Sequence, residues 1–392
     1  MSWKETGAVQ QREAFVKAAL RRRLSMTALC RRFHVSRKTG YKWLGRFLKE
    51  GCPGLQDRSR APHDQARRIP DDVVARILKV RRRHRSWGPK KVVAYLGQDH
   101  RREDWLVPSS VGRILKRNGM IRPRRHRPRK LAPGSETWTV AKVPNDVWTV
   151  DFKGKFRMGN GVYCHPLTIM DDVSRYVLRC RGLQSQRSEI CRPVFEAAFR
   201  EFGLPKVIRS DNGKPFADRG PGRLSTLSVW WIKLGIWPEQ IAVGHPEENG
   251  KHERMHRELK RETARPPAPS APAQQRRFDR FCWEYNEERP HEAIDFRRPK
   301  DLYRPSFTTL PLRIREIVYP GHYEVRRVFG TGFFSWKGDN VYVSATLAGE
   351  NVGLVEIEDG IWKVFFDCLE LGVVNERLDP GPGHLKKVLP MC

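Results

Sequence analysis

The chain opens in helical rhythm. Across "MTALCRRFHVSRKTGYKWLGRFLKEG" apolar positions recur at three- and four-residue spacing. The pattern divides into a short helix carrying Ala28, Leu29 and Phe33, a turn through His34 and Val35, and a longer helix. Ser36 stands just before the longer helix, where its hydroxyl can accept from the orphan amides of the first turn. That helix keeps Leu44 and Phe47 for packing and presents Arg37, Lys38, Thr39, Tyr41 and Lys42 near its start. This is a helix-turn-helix layout, assigned to residues 1–60. "PGLQDRSRAPH", with Pro53, Gly54 and Pro62, reads as a linker. Helical spacing returns in "DDVVARILKVRRRH", in "SWGPKKVVAYL" with Pro89 at its start, and in "VPSSVGRILKRNGMI". The last has Ser109 or Ser110 as a cap and Gly119 as a stop. With the arm "RPRRHRPRK" these predict a second helix-turn-helix unit and basic linker over residues 61–135.

The period then changes. "VWTVDFKG" alternates like a strand, and "GVYCHPLTIMDDVSRYVLRCRGL" reads as two strands joined by an Asp171-Asp172-Val173-Ser174 turn. "SEICRPVFEAAFREFG" is an amphipathic helix ending at Gly203, and "KVIRSDNG" is a short strand running into a turn. Mixed elements of this kind predict an α/β layer over residues 136–305. "RPPAPSAPAQQ" interrupts it, and "RRFDRFCWEYNEERPHEAI" resumes a helix. Beyond residue 305 short strands recur between Gly, Asp and Asn turns, the pattern of a small barrel over 306–392. The expected fold is therefore multidomain: helical, then α/β, then a small β-barrel.

Charge narrows the function. Lys and Arg total 75 against 44 Asp and Glu, a formal net charge of +31 in 392 residues. Such an excess points to a polyanion, most commonly nucleic acid, and makes Arg37, Lys38, Thr39, Tyr41 and Lys42 candidate DNA contacts. Hydrophobic residues make up 39%, which excludes a disordered basic tail. The eight cysteines are scattered without a C-x-x-C pair, which argues against a zinc site or disulfide framework and for a reducing cytosol. No apolar run approaches membrane-spanning length, so no membrane partner is expected.

Carboxylates supply the candidate chemistry. Asp151 ends an apolar strand, and Asp211 sits just past another, with Asn212-Gly213 turning behind it. "GHPEENGKHERMHRELKRE" offers five glutamates among five Lys/Arg and three histidines. Hard divalent cations take such oxygen ligands. Two ions about 3.5–4 Å apart can activate one oxygen and stabilise another in phosphodiester chemistry. Taken singly, Asp151 could merely end a strand and Asp211 merely close a turn; Asp171 and Asp172 read as hairpin chemistry.

The ordered series "WTVDFKG", "IRSDNGKPF" and "NGKHERMHRELKRE" resembles the DDE transposases and retroviral-type integrases. The domain order is similar to the bacterial insertion-sequence branch, and "YNEERPHEAIDFRRP" resembles the tail of that family's catalytic region. The likeness covers roughly residues 15–310. It implies a ribonuclease H-like central domain with Asp151, Asp211 and Glu253 as catalytic, metal-holding residues. Two Mg²⁺ ions are the implied cofactor, with Mn²⁺ as a substitute. Matching the third motif selects Glu253 over Glu247 and Glu248 and has Asn249 touch the DNA end. A helix starting near Asn249 would put Glu253, Arg257 and Lys260 on one face, with the two cations on phosphates. The gap from Asp211 to Glu253 is longer than is usual for the family, and "ADRGPGRLSTLSV" is the candidate extra loop. The resemblance implies a DNA transposase acting on terminal inverted repeats and target DNA as a homo-oligomer in a prokaryotic cytoplasm. The alternatives are an inactive DNA-binding regulator, or a ribonuclease H-like nuclease that cuts without joining.

Overall fold

The structure, a computed structural model, describes residues 7–58, 69–99, 106–121, 139–241, 250–377 and 386–389. The chain forms two compact units, Met1–Pro70 and Asp71–Cys392.

The first unit is built from α1 (Ala8–Leu20), α2 (Met26–Arg32) and α3 (Arg37–Glu50). Both short turns are closed by serine caps. Ser25 Oγ accepts from the Ala28 amide at 3.3 Å, and Ser36 Oγ from the Thr39 amide at 3.2 Å. Phe15, Val16, Leu29, Cys30, Trp43 and Leu55 form the core, with Leu44 and Phe47 packed on it. Gly40 permits the close seating of α3, since a Cβ there would come within 2.7 Å of Cys30 Sγ. The linker reading needs correction at its start. Cys52–Leu55 is a 3₁₀ turn whose Leu55 is buried, and Arg12 donates to the Leu55 carbonyl at 2.8 Å. Burial of one apolar side chain draws those residues into the helical unit.

The second unit begins with α4 (Asp71–Arg83), α5 (Pro89–Asp99) and α6 (Pro108–Arg117). Pro89 and Pro108 open their helices where a missing N–H costs nothing. Ser109 and Ser110 therefore lie inside α6 rather than capping it, and the N-cap is Val107, without a side-chain bond. Gly119 follows the helix at φ +65°. Arg81 ties the group together, donating to the carbonyls of Trp87 at 2.7 Å and Met120 at 2.9 Å. The basic arm at 122–130 lies outside the described residues.

The centre is one mixed sheet of β1 (Val147–Phe152), β2 (Phe156–Arg157), β3 (Tyr163–Asp171), β4 (Val177–Leu183), β5 (Val207–Ser210) and β6 (Trp237–Gln240). Its strands run β2-β3-β1-β5-β6, with β4 also on β3. β1 pairs antiparallel with β3 and parallel with β5, and β5 pairs parallel with β6. Asp171 closes the β3–β4 hairpin by accepting from the Ser174 amide at 2.8 Å and hydroxyl at 2.6 Å. Helices α7 (Ser188–Phe202) and α8 (Thr226–Lys233) cover one face, on a core that includes Trp148, Val150, Leu167, Phe195, Phe199 and Trp231. Helices α9 (Gly250–Thr263) and α10 (Ala271–Trp283) cover the other, through Met255, Leu259, Phe278 and Phe281. This three-layer order is that of a ribonuclease H-like fold. α10 starts inside the Pro/Ala-rich stretch, because Pro272 falls in its first turn. A short helix, α11 (Pro299–Leu302), closes the region.

The C-terminal strands form two open sheets rather than the expected closed barrel. β7 (Glu324–Arg327) joins β10 (Asn351–Glu358), β11 (Ile361–Phe366) and β12 (Leu369–Asn375) in the order β12-β11-β10-β7. β8 (Phe333–Trp336), β9 (Asp339–Tyr342) and β13 (Lys386–Lys387) make the second sheet. Both contribute to one apolar core with Phe334, Val341, Leu354 and Phe366, joined by Val229 and Ile232 of α8 and by Leu224. A helix supplies part of the apolar wall that further strands would provide in a barrel. "ADRGPGRLSTLSV" runs into this junction: Gly222, at φ +63°, sits where a Cβ would meet Leu371 at 2.8 Å. No helix among the described residues is long and apolar enough to cross a membrane.

Candidate active site

Strand alternation decides which side chains can meet. On β1, Trp148 and Val150 enter the core beneath α7 and α8, so Thr149 and Asp151 face α9. The β1–β5 register pairs Thr149 with Arg209. Asp211 directly follows Ser210, the last residue of β5, so Asp151 and Asp211 lie at the same end of the sheet. The Asp211 carboxyl is pushed up by burial, and the Gly213 amide offsets this in part with one bond at 3.2 Å.

α9 lies across this face. Met255 and Leu259 bury into the core beside His252 and His256, while Glu253, Arg257 and Lys260 are all exposed. Lys251 reaches the buried Asp172 at 2.6 Å, so one acid of the hairpin also anchors the helix. Glu258 turns away toward Arg261 and Arg289.

The two histidines meet one hydroxyl. Thr168, opposite Asp151 on β3, is within 2.6 Å of His252 Nε2 and 2.7 Å of His256 Nε2, and donates to the Asp151 carbonyl at 3.0 Å. His252 Nδ1 is 3.0 Å from Thr149 Oγ1, and His256 Nδ1 is 3.6 Å from Asp151 Oδ2. Burial pushes the His252 imidazolium down to about 3 and that of His256 well below its usual range, so both rings are neutral near pH 7. Lys153 is lowered first by burial and then by nearby Lys260, against the opposing pull of Asp151 and Glu253. Asp151, Lys153, Glu253 and Lys260 thus share one electrostatic neighbourhood.

Among the described residues, no three His, Cys, Asp or Glu side chains stand close enough to hold one metal ion. The donor chemistry nevertheless suits a hard cation: carboxylates, with Asp211 incompletely compensated in its half-buried position. Asn249, Glu247 and Glu248 lie outside the described residues.

In the first unit Arg37, Lys38, Tyr41 and Lys42 are exposed at the start of α3. Thr39 is half-buried, and its hydroxyl is 2.9 Å from Ser36 Oγ, so the cap occupies it. Reasoning from sequence missed Thr168, Lys153 and the histidine pair. The i, i+4 spacing of His252 and His256 was the available signal, hidden in a run that read as surface charge.

Two integrase core domain models match, over residues 141–246 and 234–299, and helix-turn-helix and homeodomain-like models match 11–63 and 39–115. An uncharacterised protein of insertion element IS407 from Burkholderia multivorans is 23% identical over 59% of this chain and 80% of its own length. Its counterpart from insertion element IS476 of Xanthomonas euvesicatoria is 25% identical over 64% and 69%. The chain thus carries an integrase core domain and is similar to proteins of insertion elements. The chain is also similar to the Pol polyprotein of feline endogenous virus ECE1, 31% identical over 31% of this chain but spanning 11% of that polyprotein. Among solved structures, the catalytic core domain of HTLV-2 integrase in complex with magnesium covers 41% of the chain and 98% of its own, at 16% identity and a TM-score of 0.33. A chain of the simian T-cell lymphotropic virus intasome in complex with PP2A regulatory subunit B56 gamma covers 69% and 92%, at 16% and 0.36. Superpositions that loose add nothing to the topology already described.

Proposed function

We propose that the protein is a DNA transposase that cuts phosphodiester bonds at the ends of its element and joins the released 3′-OH to target DNA. One arrangement supports this reading. Asp151, near the end of β1, and Asp211, just past the parallel β5, lie at one end of the sheet, and Asp151 faces α9, whose first turn holds Glu253. Asp151, Asp211 and Glu253 would hold two divalent ions, Mg²⁺ or in its place Mn²⁺. When bound, such ions supply a more acidic water and positive charge at the attacked phosphate. The protein's own contribution is position and field. Arg257 and Lys260, exposed on the Glu253 side of α9, hold phosphates of the element end, and Asn249 contacts that end. A water oxygen attacks phosphorus, the P–O3′ bond breaks, and the 3′ oxygen leaves as a hydroxyl. That hydroxyl then attacks a target phosphodiester in line, displacing a second 3′ oxygen. No protein nucleophile is required.

The helix-turn-helix of the first unit reads the terminal inverted repeats through Arg37, Lys38, Tyr41 and Lys42. Thr39 contributes through the cap that orients the start of the helix. Two ends must be held at once, so the working form is a homo-oligomer on DNA. The test is Asp211→Asn with a labelled repeat duplex and a pre-cleaved end in Mg²⁺. Retained binding with loss of nicking and joining supports the proposal. Cleavage left intact would remove Asp211 from the mechanism, nicking without joining would indicate a nuclease, and a parent protein that binds without cutting would indicate a regulator.

A further inference from the structure

The histidine pair on α9 is not used by that mechanism, yet it is the most enclosed polar feature near it. His252 and His256 are one helical turn apart and both buried, and both rings end on the hydroxyl of Thr168, itself wholly enclosed. A hydroxyl has one proton and two lone pairs. The Thr168 hydroxyl donates to the Asp151 carbonyl at 3.0 Å and stands between the two rings. On its other side the His252 ring lies 3.0 Å from the Thr149 hydroxyl, which donates to the Met170 carbonyl at 3.2 Å, and the His256 ring lies 3.6 Å from the Asp151 carboxylate. One oxygen joins β1, β3 and α9.

The position of that joint gives it consequence. His252 directly precedes Glu253 on α9, and Thr168 is the cross-strand partner of Asp151. A slide or rotation of α9 that moved Glu253 relative to Asp151 would break at least one of the short bonds to Thr168. The geometry points to Thr168, His252 and His256 as positioning residues: they set the separation and orientation of the Asp151 and Glu253 carboxylates for a divalent cation. This rests on the reading of Asp151 and Glu253 as catalytic. Polar groups that orient ligands are worth about 10- to 100-fold in metal affinity or activity when removed.

The experiment is Mn²⁺ binding to the full chain, followed by the free-ion electron paramagnetic resonance signal, alongside nicking of repeat DNA. Thr168→Val keeps shape and deletes the hydroxyl. It is expected to weaken Mn²⁺ binding and lower nicking by about 10- to 100-fold, with repeat-DNA binding in chelator unchanged, and Thr168→Ser is expected to restore both. Thr168→Val that binds Mn²⁺ and nicks like the parent overturns the proposal. Because the valine variant could lose its fold, the parent supplies an independent check. Ring ¹⁵N–¹H correlation of histidine-labelled protein is expected to show slowly exchanging ring N–H protons on both residues, and ring protons that exchange as fast as those of a solvent-exposed histidine overturn the arrangement. Asp151→Asn separates the two readings. If it keeps Mn²⁺ binding and nicking, the active-site assignment fails and the positioning role fails with it. If it loses both while Thr168→Val loses neither, only the positioning role fails.

Discussion

Helices α3 and α9 are the same in length and in their number of lysines and arginines, yet they serve different ends. Each has 14 residues, and each carries five lysines or arginines. α3 rests on an apolar core through Trp43, Leu44 and Phe47, and its cations open to solvent from a capped N-terminus. α9 buries histidines beside its Met and Leu, and ties them to two strands. An apolar seat leaves a helix free to present charge to any polyanion. A hydrogen-bonded seat fixes the rotation and height of the helix, which a constellation of acids needs and a phosphate contact does not.

The largest expected break in this comparison is Asp151→Asn or Asp211→Asn. Loss of one carboxylate should cost roughly 10³-fold or more in nicking, while gel-shift affinity for the terminal repeat, assigned to α3, stays close to that of the parent. Next, the acids of α9 should separate. Glu253→Gln should cost at least about 10²-fold in rate, with little change in melting temperature because the side chain is exposed. Glu258→Gln should do the opposite, since Arg289 is buried 3.4 Å from Glu258. Denaturant unfolding should show a loss of about 1–3 kcal/mol from the weakened partner of that charge. On α3, Arg37→Ala or Lys42→Ala should each flatten the slope of log affinity against log salt by about 1. Ser36→Ala should cost the first unit roughly 1 kcal/mol by removing the cap, read as a lower unfolding midpoint.

The smallest effect is a pH dependence. Burial raises the Asp211 pKa in the folded chain, so between the unfolded and folded values the folded state binds more protons. The native carboxylate thus lowers stability as pH rises through that interval. In chelator, Asp211→Asn should raise the melting temperature at neutral pH, and the gain should vanish below the ordinary aspartate range.

Elements with local causes were legible along the chain. Ser36 and Gly203 mark helix ends by cap and by left-handed geometry, and alternation over "VWTVD" marks β1. Where the local rule had two solutions, the reading slipped. Pro108 and Pro272 can open a helix as readily as break one, so the start of α6 and the Pro/Ala stretch were misplaced. The barrel was misread because strand spacing says nothing of what covers an apolar face, and part of that cover comes from α8, far back in sequence.

By itself the sequence determined what depends on neighbours in the chain: the cations and cap of α3, the strand that ends at Asp151, the turn behind Asp211, and the phase that puts Glu253, Arg257 and Lys260 on one side of α9. Tertiary structure alone decided what depends on contacts between distant segments. It joined β1 to β5, gave Asp172 to Lys251, and brought two histidines from one helix onto one threonine of a strand more than eighty residues earlier. A hydroxyl has no period and no pattern. Its meaning comes from the partners that the fold brings within about 3 Å of it.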